Sequence, residues 1–123
     1  MRRVNIENRT RGQVLGDQVA VASWMWTRLR GLLGRPPLQE GEGLLIVPSR
    51  GVHMYGMKYA LDVLILDRER RVVALYPGLA PWKRTPMHRG ARFALELPVG
   101  TIEATGTGEG DVLEWDGKNG RGG

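Results

Sequence analysis

The chain has 123 residues, of which 41% are hydrophobic, and it contains no cysteine. This length suits one ordinary domain with its own core, and the lack of cysteine excludes disulfides and thiolate metal sites. The net charge of +5 comes from residues 1–35, which hold seven arginines against two acidic residues. No segment is long enough to span a membrane and no signal peptide is evident, so we expect a soluble cytoplasmic protein.

The first predicted element is a short hairpin. Its strands are Val4–Ile6 and Gln13–Leu15, and residues 9–12 form the turn. Gly12 can adopt the positive φ that such a turn often needs. Residues 19–21 could extend this hairpin or pair with it.

Residues 23–34 are predicted to form a helix. Ser23 can cap its first turn, and apolar residues then recur at steps of three and four positions. Gly34 can end the helix, and Pro36 and Pro37 cannot continue it.

Beyond Gly43 the pattern predicts short strands separated by glycine and proline turns. The predicted strands are 44–47, 63–66, 72–76, 93–97 and 112–115. The strands 63–66 and 72–76 form an antiparallel hairpin around the polar turn 67–70, whereas residues 77–86, with three prolines, are a loop.

The sum is a mainly β, β-rich α+β fold: a compact antiparallel barrel- or sandwich-like domain over residues 1–116, flanked by one helix near residues 23–34. Residues 117–123 are glycine-rich and polar, so we predict a disordered tail there.

Several short motifs together resemble the family called domain of unknown function 192. They are residues 30–35 (RGLLGR), Gly43 before an apolar strand, Gly56–Met57 with Asp62 beyond, Pro81–Trp82, residues 95–98 (LELP), Gly100 and Gly110–Asp111. The resemblance runs from about Ser23 to Val112. It implies a small, mostly β domain without an established activity; some members of the family are exported.

The segment from Gly51 to Asp62 is the first candidate site. Within twelve positions it carries a histidine, two methionines, two tyrosines, a lysine and an aspartate. Imidazole and thioether groups suit copper(I), and imidazole with carboxylate suits zinc. The compact spacing of a metal site is missing, however, so no metal or other cofactor is expected. In the alternative interpretation, Met57 fills the core and His53 is a hydrogen-bonded turn residue.

Asp62 and Glu96 each allow a structural or a catalytic role. Asp62 could accept backbone N–H bonds in a turn, form a salt bridge, or act as a general base. Glu96 is exposed if its leucine neighbours face the core. Inside a narrow barrel it would need a cationic partner, for which the candidates are Arg30, Arg35 and Lys58.

Trp82 lies in a rigid loop between Pro81 and the cations Lys83 and Arg84. Its indole could stack on a sugar ring, a base or a partner side chain. Alternatively, it could fold back as a lid on the core.

We therefore expect a non-catalytic binding or accessory domain rather than an enzyme, with a small ligand or a protein as partner. The candidate ligand-binding residues are His53, Tyr55, Met57, Lys58, Asp62, Trp82, Lys83 and Arg84. A rival hypothesis is an acid–base or metal-assisted enzyme that uses His53 with Asp62 or Glu96. A third is binding of RNA or another anionic polymer through the arginine-rich first 35 residues. Because no nucleic-acid motif accompanies that charge, nucleic acid is not the expected partner.

Overall fold

The computed structural model describes residues 2–23 and 36–117 of the chain. In these ranges seven strands form one curled, half-barrel sheet, accompanied by one short helix. The strands are β1 Arg3–Asn8, β2 Gln13–Ala22, β3 Glu42–Ile46, β4 Leu61–Asp67, β5 Val72–Leu79, β6 Ala91–Leu97 and β7 Leu113–Glu114; the helix, α1, is Thr101–Thr105. No helix in the described ranges is long and apolar enough to cross a bilayer.

The order of strands across the sheet is β5-β4-β6-β3-β2-β1-β7. Only β2 and β3 pair in parallel; the other neighbouring strands are antiparallel. The residues around β7 also reach the far edge of the sheet, because Gly110 N–H donates to Val72 O at 2.8 Å and Leu113 N–H donates to Arg70 O at 2.9 Å. The segment 110–114, which includes the end strand β7, thus bonds β1 on one side and the start of β5 on the other, and it curls the sheet toward a barrel.

The mainly β fold and its two hairpins confirm the predictions from sequence. In the first hairpin Gly12 has φ 65°, as the predicted turn requires, and β2 continues as one strand through residues 19–21. Two details differ: β5 runs on through Pro77 to Leu79, and α1 was not predicted. The predicted helix 23–34, beyond Ser23, and the predicted tail 117–123, beyond Gly117, lie outside the described residues.

The central strands are buried on both faces. Alternate side chains of β4, such as Leu64 and Leu66, enter an inner cluster that also includes Val72 and Leu113 from the two ends of the sheet. The intervening side chains of the central strands enter an outer cluster with three residues of the 51–60 connection, which are Val52, Met54 and Met57. The 51–60 connection therefore packs against the outer face of the sheet.

Glu96 lies on that outer face. Its neighbours Leu95 and Leu97 enter the inner cluster, so the side chain of Glu96 points the opposite way. Of the two alternatives that the sequence left open for Glu96, exposure is wrong, because Glu96 is 0% exposed. That alternative assumed that only one face of the sheet is covered, whereas here both faces are.

Asp111 forms a buried polar hub that joins β1 to the approach to β7. One of its carboxylate oxygens accepts hydrogen bonds from Asn8 Nδ2, Arg11 Nε and Gly108 N–H, each at 2.9 Å. Burial alone would raise the pKa of Asp111, but the hydrogen bonds from Arg11, Asn8 and Gly108 outweigh it and hold this pKa below its usual range.

This depressed pKa makes part of the folding stability dependent on pH. The contribution is fully present above the unfolded pKa of about 3.9 and is lost as the pH falls through the lower folded pKa.

We expect Asp111→Asn to lower the free energy of unfolding by about 2 kcal/mol at neutral pH, with the difference from the wild type shrinking below about pH 4. Urea unfolding at several pH values measures this gap. The exposed Asp116→Asn is the control and should match the wild type throughout; a constant gap for Asp111→Asn would contradict the assignment.

Candidate functional site

Two connections between strands pair with each other over the outer face of the sheet. Residues 50–55 follow β3, and residues 82–88 follow β5; together they are called the ribbon below. Met54 N–H donates to Lys83 O at 2.7 Å, and Trp82 N–H donates back to Met54 O at 2.8 Å. A β-bridge between His53 and Arg84 continues the antiparallel pairing. The ribbon therefore has a hydrogen-bonded backbone, although the sequence predicted a loop for residues 77–86.

Gly51 and Thr85 hold the two halves of the ribbon close together. A Cβ atom at Gly51 would lie 2.6 Å from Thr85 Oγ1 and 2.7 Å from Pro86 O, closer than real Cβ contacts. The Thr85 hydroxyl accepts from Val52 N–H at 3.1 Å and donates to Pro86 O at 2.9 Å. Only glycine fits at position 51 without moving the opposite backbone.

Three rings form a nearly parallel row on the ribbon. The His53 and Tyr55 ring centroids are 4.6 Å apart with an interplanar angle of 24°, and those of Tyr55 and Trp82 are 6.2 Å apart at 26°. Tyr55 is 43% exposed and Trp82 is 67% exposed. The lid interpretation of Trp82 therefore does not describe its position, since most of the indole faces solvent.

The backbone of Trp82 is in a conformation that bulky residues rarely adopt. Its φ is 67°, in the left-handed region that costs a non-glycine residue about 1 kcal/mol or more. The hydrogen bond from its N–H to Met54 O fixes this conformation. The chain thus holds a strained tryptophan in place and leaves its ring exposed.

A groove of about 670 Å³ lies beside the row of rings. It is lined by Gly51, Val52, His53, Tyr55, Arg84, Thr85, Pro86 and Met87. Met87 is 72% exposed, so a flexible apolar side chain stands at the edge of the groove. Pro86 and Met87 were not among the predicted site residues, because only the backbone pairing of the ribbon brings them opposite Gly51.

The ribbon and its flanks carry positive charge alone. Residues 48–60 and 77–92 contain six arginines and lysines and no aspartate, glutamate, asparagine or glutamine. Five of the six are exposed: Arg50, Lys58, Lys83, Arg84 and Arg89. The two ion pairs seen in the described ranges, Arg9–Glu114 and Arg11–Asp111, involve no residue of the ribbon.

His88, at the end of the ribbon, forms a hydrogen bond with Tyr76 of β5. Its Nε2 lies 2.6 Å from the Tyr76 hydroxyl, and its backbone N–H donates to Arg50 O at 2.8 Å. Burial raises the pKa of Tyr76, and the charge of Glu109 adds to this rise. The phenol therefore stays protonated well beyond neutral pH and can donate to the imidazole.

The predicted site residues fall into two groups. His53, Tyr55 and Arg84 line the groove, Trp82 stands next to Tyr55, and Lys58 and Lys83 are exposed outside the lining. Met57, Asp62 and Glu96 are buried and do not line it.

Both carboxylate oxygens of Asp62 accept hydrogen bonds from backbone N–H groups. Its Oδ1 accepts from Gly78 N–H at 2.8 Å, and its Oδ2 accepts from Gly100 N–H at 3.1 Å and Ile102 N–H at 2.9 Å. These bonds join β4 to β5 and to the start of α1. Among the described residues, no three His, Cys, Asp or Glu side chains are grouped as a metal ion would require.

A family model covers most of the chain. The model of DUF192, described as Uncharacterized ACR, COG1430, matches residues 6–115. The chain belongs to the DUF192 family. The resemblance read from the glycine, proline and tryptophan motifs is thereby confirmed, and the members of this family are uncharacterised.

Curated relatives and a solved structure agree with this assignment. The chain is 32% identical over 114 residues to a UPF0127 protein of Thermococcus sibiricus, covering 89% of this chain and 73% of the relative. It is 34% identical over 112 residues to a UPF0127 protein of Pyrococcus furiosus, covering 89% and 96%. A protein of unknown function from Novosphingobium aromaticivorans superposes with a TM-score of 0.76 at 22% identity, over 92% of this chain and 84% of that one. The likeness to that structure shows the fold.

Proposed function

We propose that this DUF192 protein is a non-catalytic binding module whose ligand lies in the groove, against Tyr55 and Trp82. The observation that carries the proposal is Trp82, which is 67% exposed and has a φ of 67°. An exposed indole buries little apolar surface, and its backbone strain opposes folding, so the fold gains little from this residue. A ligand that stacks on the ring buries the apolar surface that the fold alone leaves exposed.

The positions of the acidic candidates favour binding over acid–base chemistry. A general base must reach the substrate, but both oxygens of the buried Asp62 carboxylate accept backbone N–H bonds. Glu96 is buried near the end of β6, on the outer face of the sheet. Of the proposed acid–base residues, His53 alone lines the groove, and its Nδ1 accepts from Tyr55 N–H at 3.4 Å.

The proposal predicts that Trp82 can be removed without loss of stability. We expect Trp82→Gly to keep the wild-type free energy of unfolding or to raise it by up to about 1 kcal/mol, because glycine adopts positive φ without strain. Urea unfolding followed by circular dichroism measures the change. A decrease of more than about 2 kcal/mol would show that the ring serves the fold, and the proposal would then be withdrawn.

A further inference from the structure

Resting on the proposed function, we infer that the groove binds single-stranded nucleic acid, with bases stacked on Tyr55 and Trp82 and phosphates near the surrounding cations. Proteins that bind single strands without sequence preference combine exposed aromatic rings with a positively charged path for the backbone. Both parts are present on the ribbon, within one short stretch of surface.

The charge around the groove selects an anionic ligand. Five exposed arginines and lysines lie on the ribbon and its flanks, in segments that contain no acidic residue. Arg84 lines the groove itself, and the preceding residue, Lys83, is exposed outside the lining. A chain of phosphates provides one partner for each nucleotide and releases its condensed counterions on binding, which a neutral ligand does not.

The shape of the aromatic row selects a ligand with flat rings. His53, Tyr55 and Trp82 stand within 26° of parallel from one ring to the next. Each base has a flat π-face that can stack on such a ring, and this contact contributes about 1–3 kcal/mol per base. Most peptide side chains are not flat. An acidic peptide would therefore form ion pairs with the cations of the ribbon but would stack little on the three rings.

The composition of the ribbon limits the base edges that it can recognise. Asparagine and glutamine, which recognise adenine, and aspartate and glutamate, which recognise cytosine, are absent from residues 48–60 and 77–92. The Thr85 hydroxyl, which lines the groove, already bonds Val52 N–H and Pro86 O. Stacking and phosphate attraction remain, and neither depends strongly on base identity.

The cations in this inference differ from those that dominate the sequence. Nucleic acid was not the expected partner because the arginines of residues 1–35 accompany no known motif. The cations of the ribbon and its flanks lie within residues 36–123, where eleven basic residues are balanced by eleven acidic ones. Only the folded ribbon brings Arg84 to a groove beside two exposed rings.

The test is fluorescence anisotropy with a labelled 15-nucleotide oligothymidine at 50 and 200 mM NaCl. We expect a dissociation constant of about 1–100 μM at the lower salt and a weakening of at least tenfold at the higher salt. A 15-unit abasic strand has the same phosphates without bases, and we expect it to bind about tenfold more weakly. The blunt duplex of the same length should also bind more weakly, since its bases are already stacked inside.

Three variants separate the contributions. Trp82→Gly should weaken binding of oligothymidine about tenfold while leaving the abasic strand unchanged, because it removes stacking alone. Arg84→Glu should weaken both strands. Arg3→Glu makes the same change of net charge at an exposed residue of β1 and should have less than a threefold effect.

Each contrary result has its own meaning. Equal binding of oligothymidine and the abasic strand, or no effect of Trp82→Gly, overturns the inference. So does an effect of Arg3→Glu as large as that of Arg84→Glu, which would assign binding to the arginine-rich first third. Competition by thymidine triphosphate at equal nucleotide concentration would assign the groove to a mononucleotide, and binding of a labelled glutamate–tyrosine copolymer but not of labelled oligothymidine would assign it to an acidic peptide. The last two results leave the proposed function standing; a large loss of stability in Trp82→Gly does not.

Discussion

Replacing Asp62 with alanine is expected to lower the free energy of unfolding by about 3–5 kcal/mol, because it removes the acceptor of three backbone N–H groups. Asp62 is 1% exposed, so water cannot replace the lost oxygens without entering the core. The midpoint of thermal unfolding should fall by about 10–20 °C. Asp62→Asn keeps the shape but has one carbonyl oxygen, so it should give an intermediate loss.

The matched control is Asp67→Ala at the other end of the same strand. Asp67 also accepts two backbone N–H bonds, from Glu69 at 3.0 Å and from Arg71 at 2.9 Å, but in an exposed turn. Its loss should cost only about 1 kcal/mol. If Asp62→Asn were as stable as the wild type, the structural role would be contradicted and Asp62 would return as a candidate base.

The second large effect is expected at Trp115, where alanine should lower the free energy of unfolding by about 3–5 kcal/mol. The Trp115 ring meets Phe93 edge to face, with centroids 5.0 Å apart. The Arg70 guanidinium lies 3.9 Å from the centroid of the indole and donates to the carbonyls of Trp115 and Gly117. The Trp115 ring therefore connects the segment after β7 to the inner cluster through Phe93 and to the turn before β5 through Arg70.

Trp115→Phe keeps an aromatic ring but a smaller one, so it separates the effect of the aromatic contacts from the effect of side-chain size. Phenylalanine can keep the contact with Phe93 and the face under Arg70, so we expect a loss of about 1–2 kcal/mol. Urea unfolding of Trp115→Ala, Trp115→Phe and Trp82→Gly under one set of conditions compares a buried tryptophan with an exposed one. A Trp115→Ala variant within 1 kcal/mol of the wild type would contradict this account of the closure.

Local sequence signals predicted much of the sheet, because each signal acts over a few residues. Gly12 marks the first turn, the polar residues 67–70 mark the second, and apolar runs mark β3, β4 and β6. Pro77 misled the prediction of β5, since a proline is tolerated where its missing N–H takes no part in the ladder. β5 is an end strand of the sheet order, where such positions occur.

The candidate site residues were named from residue type, without knowledge of their geometry. His53, Tyr55, Trp82 and Arg84 were chosen because chemically active groups crowd their segments; His53, Tyr55 and Arg84 line the groove, and Trp82 stands next to Tyr55. Asp62 and Glu96 carry the same kinds of groups but are buried elsewhere, because long-range packing decides their surroundings. The pairing that aligns Gly51 with Thr85 joins positions more than thirty residues apart, and no local pattern encodes it.

The groove has a further consequence for how this family can diversify. Among residues 2–23 and 36–117, those that line it belong to the connection between β3 and β4 or to the connection between β5 and β6, and none belongs to a strand of the sheet. Evolution can therefore exchange the chemistry of the groove without disturbing the scaffold below. Relatives with the same sheet and different ribbons are expected to differ in their ligands, and a transplanted ribbon offers a direct route to new binding specificities on this framework.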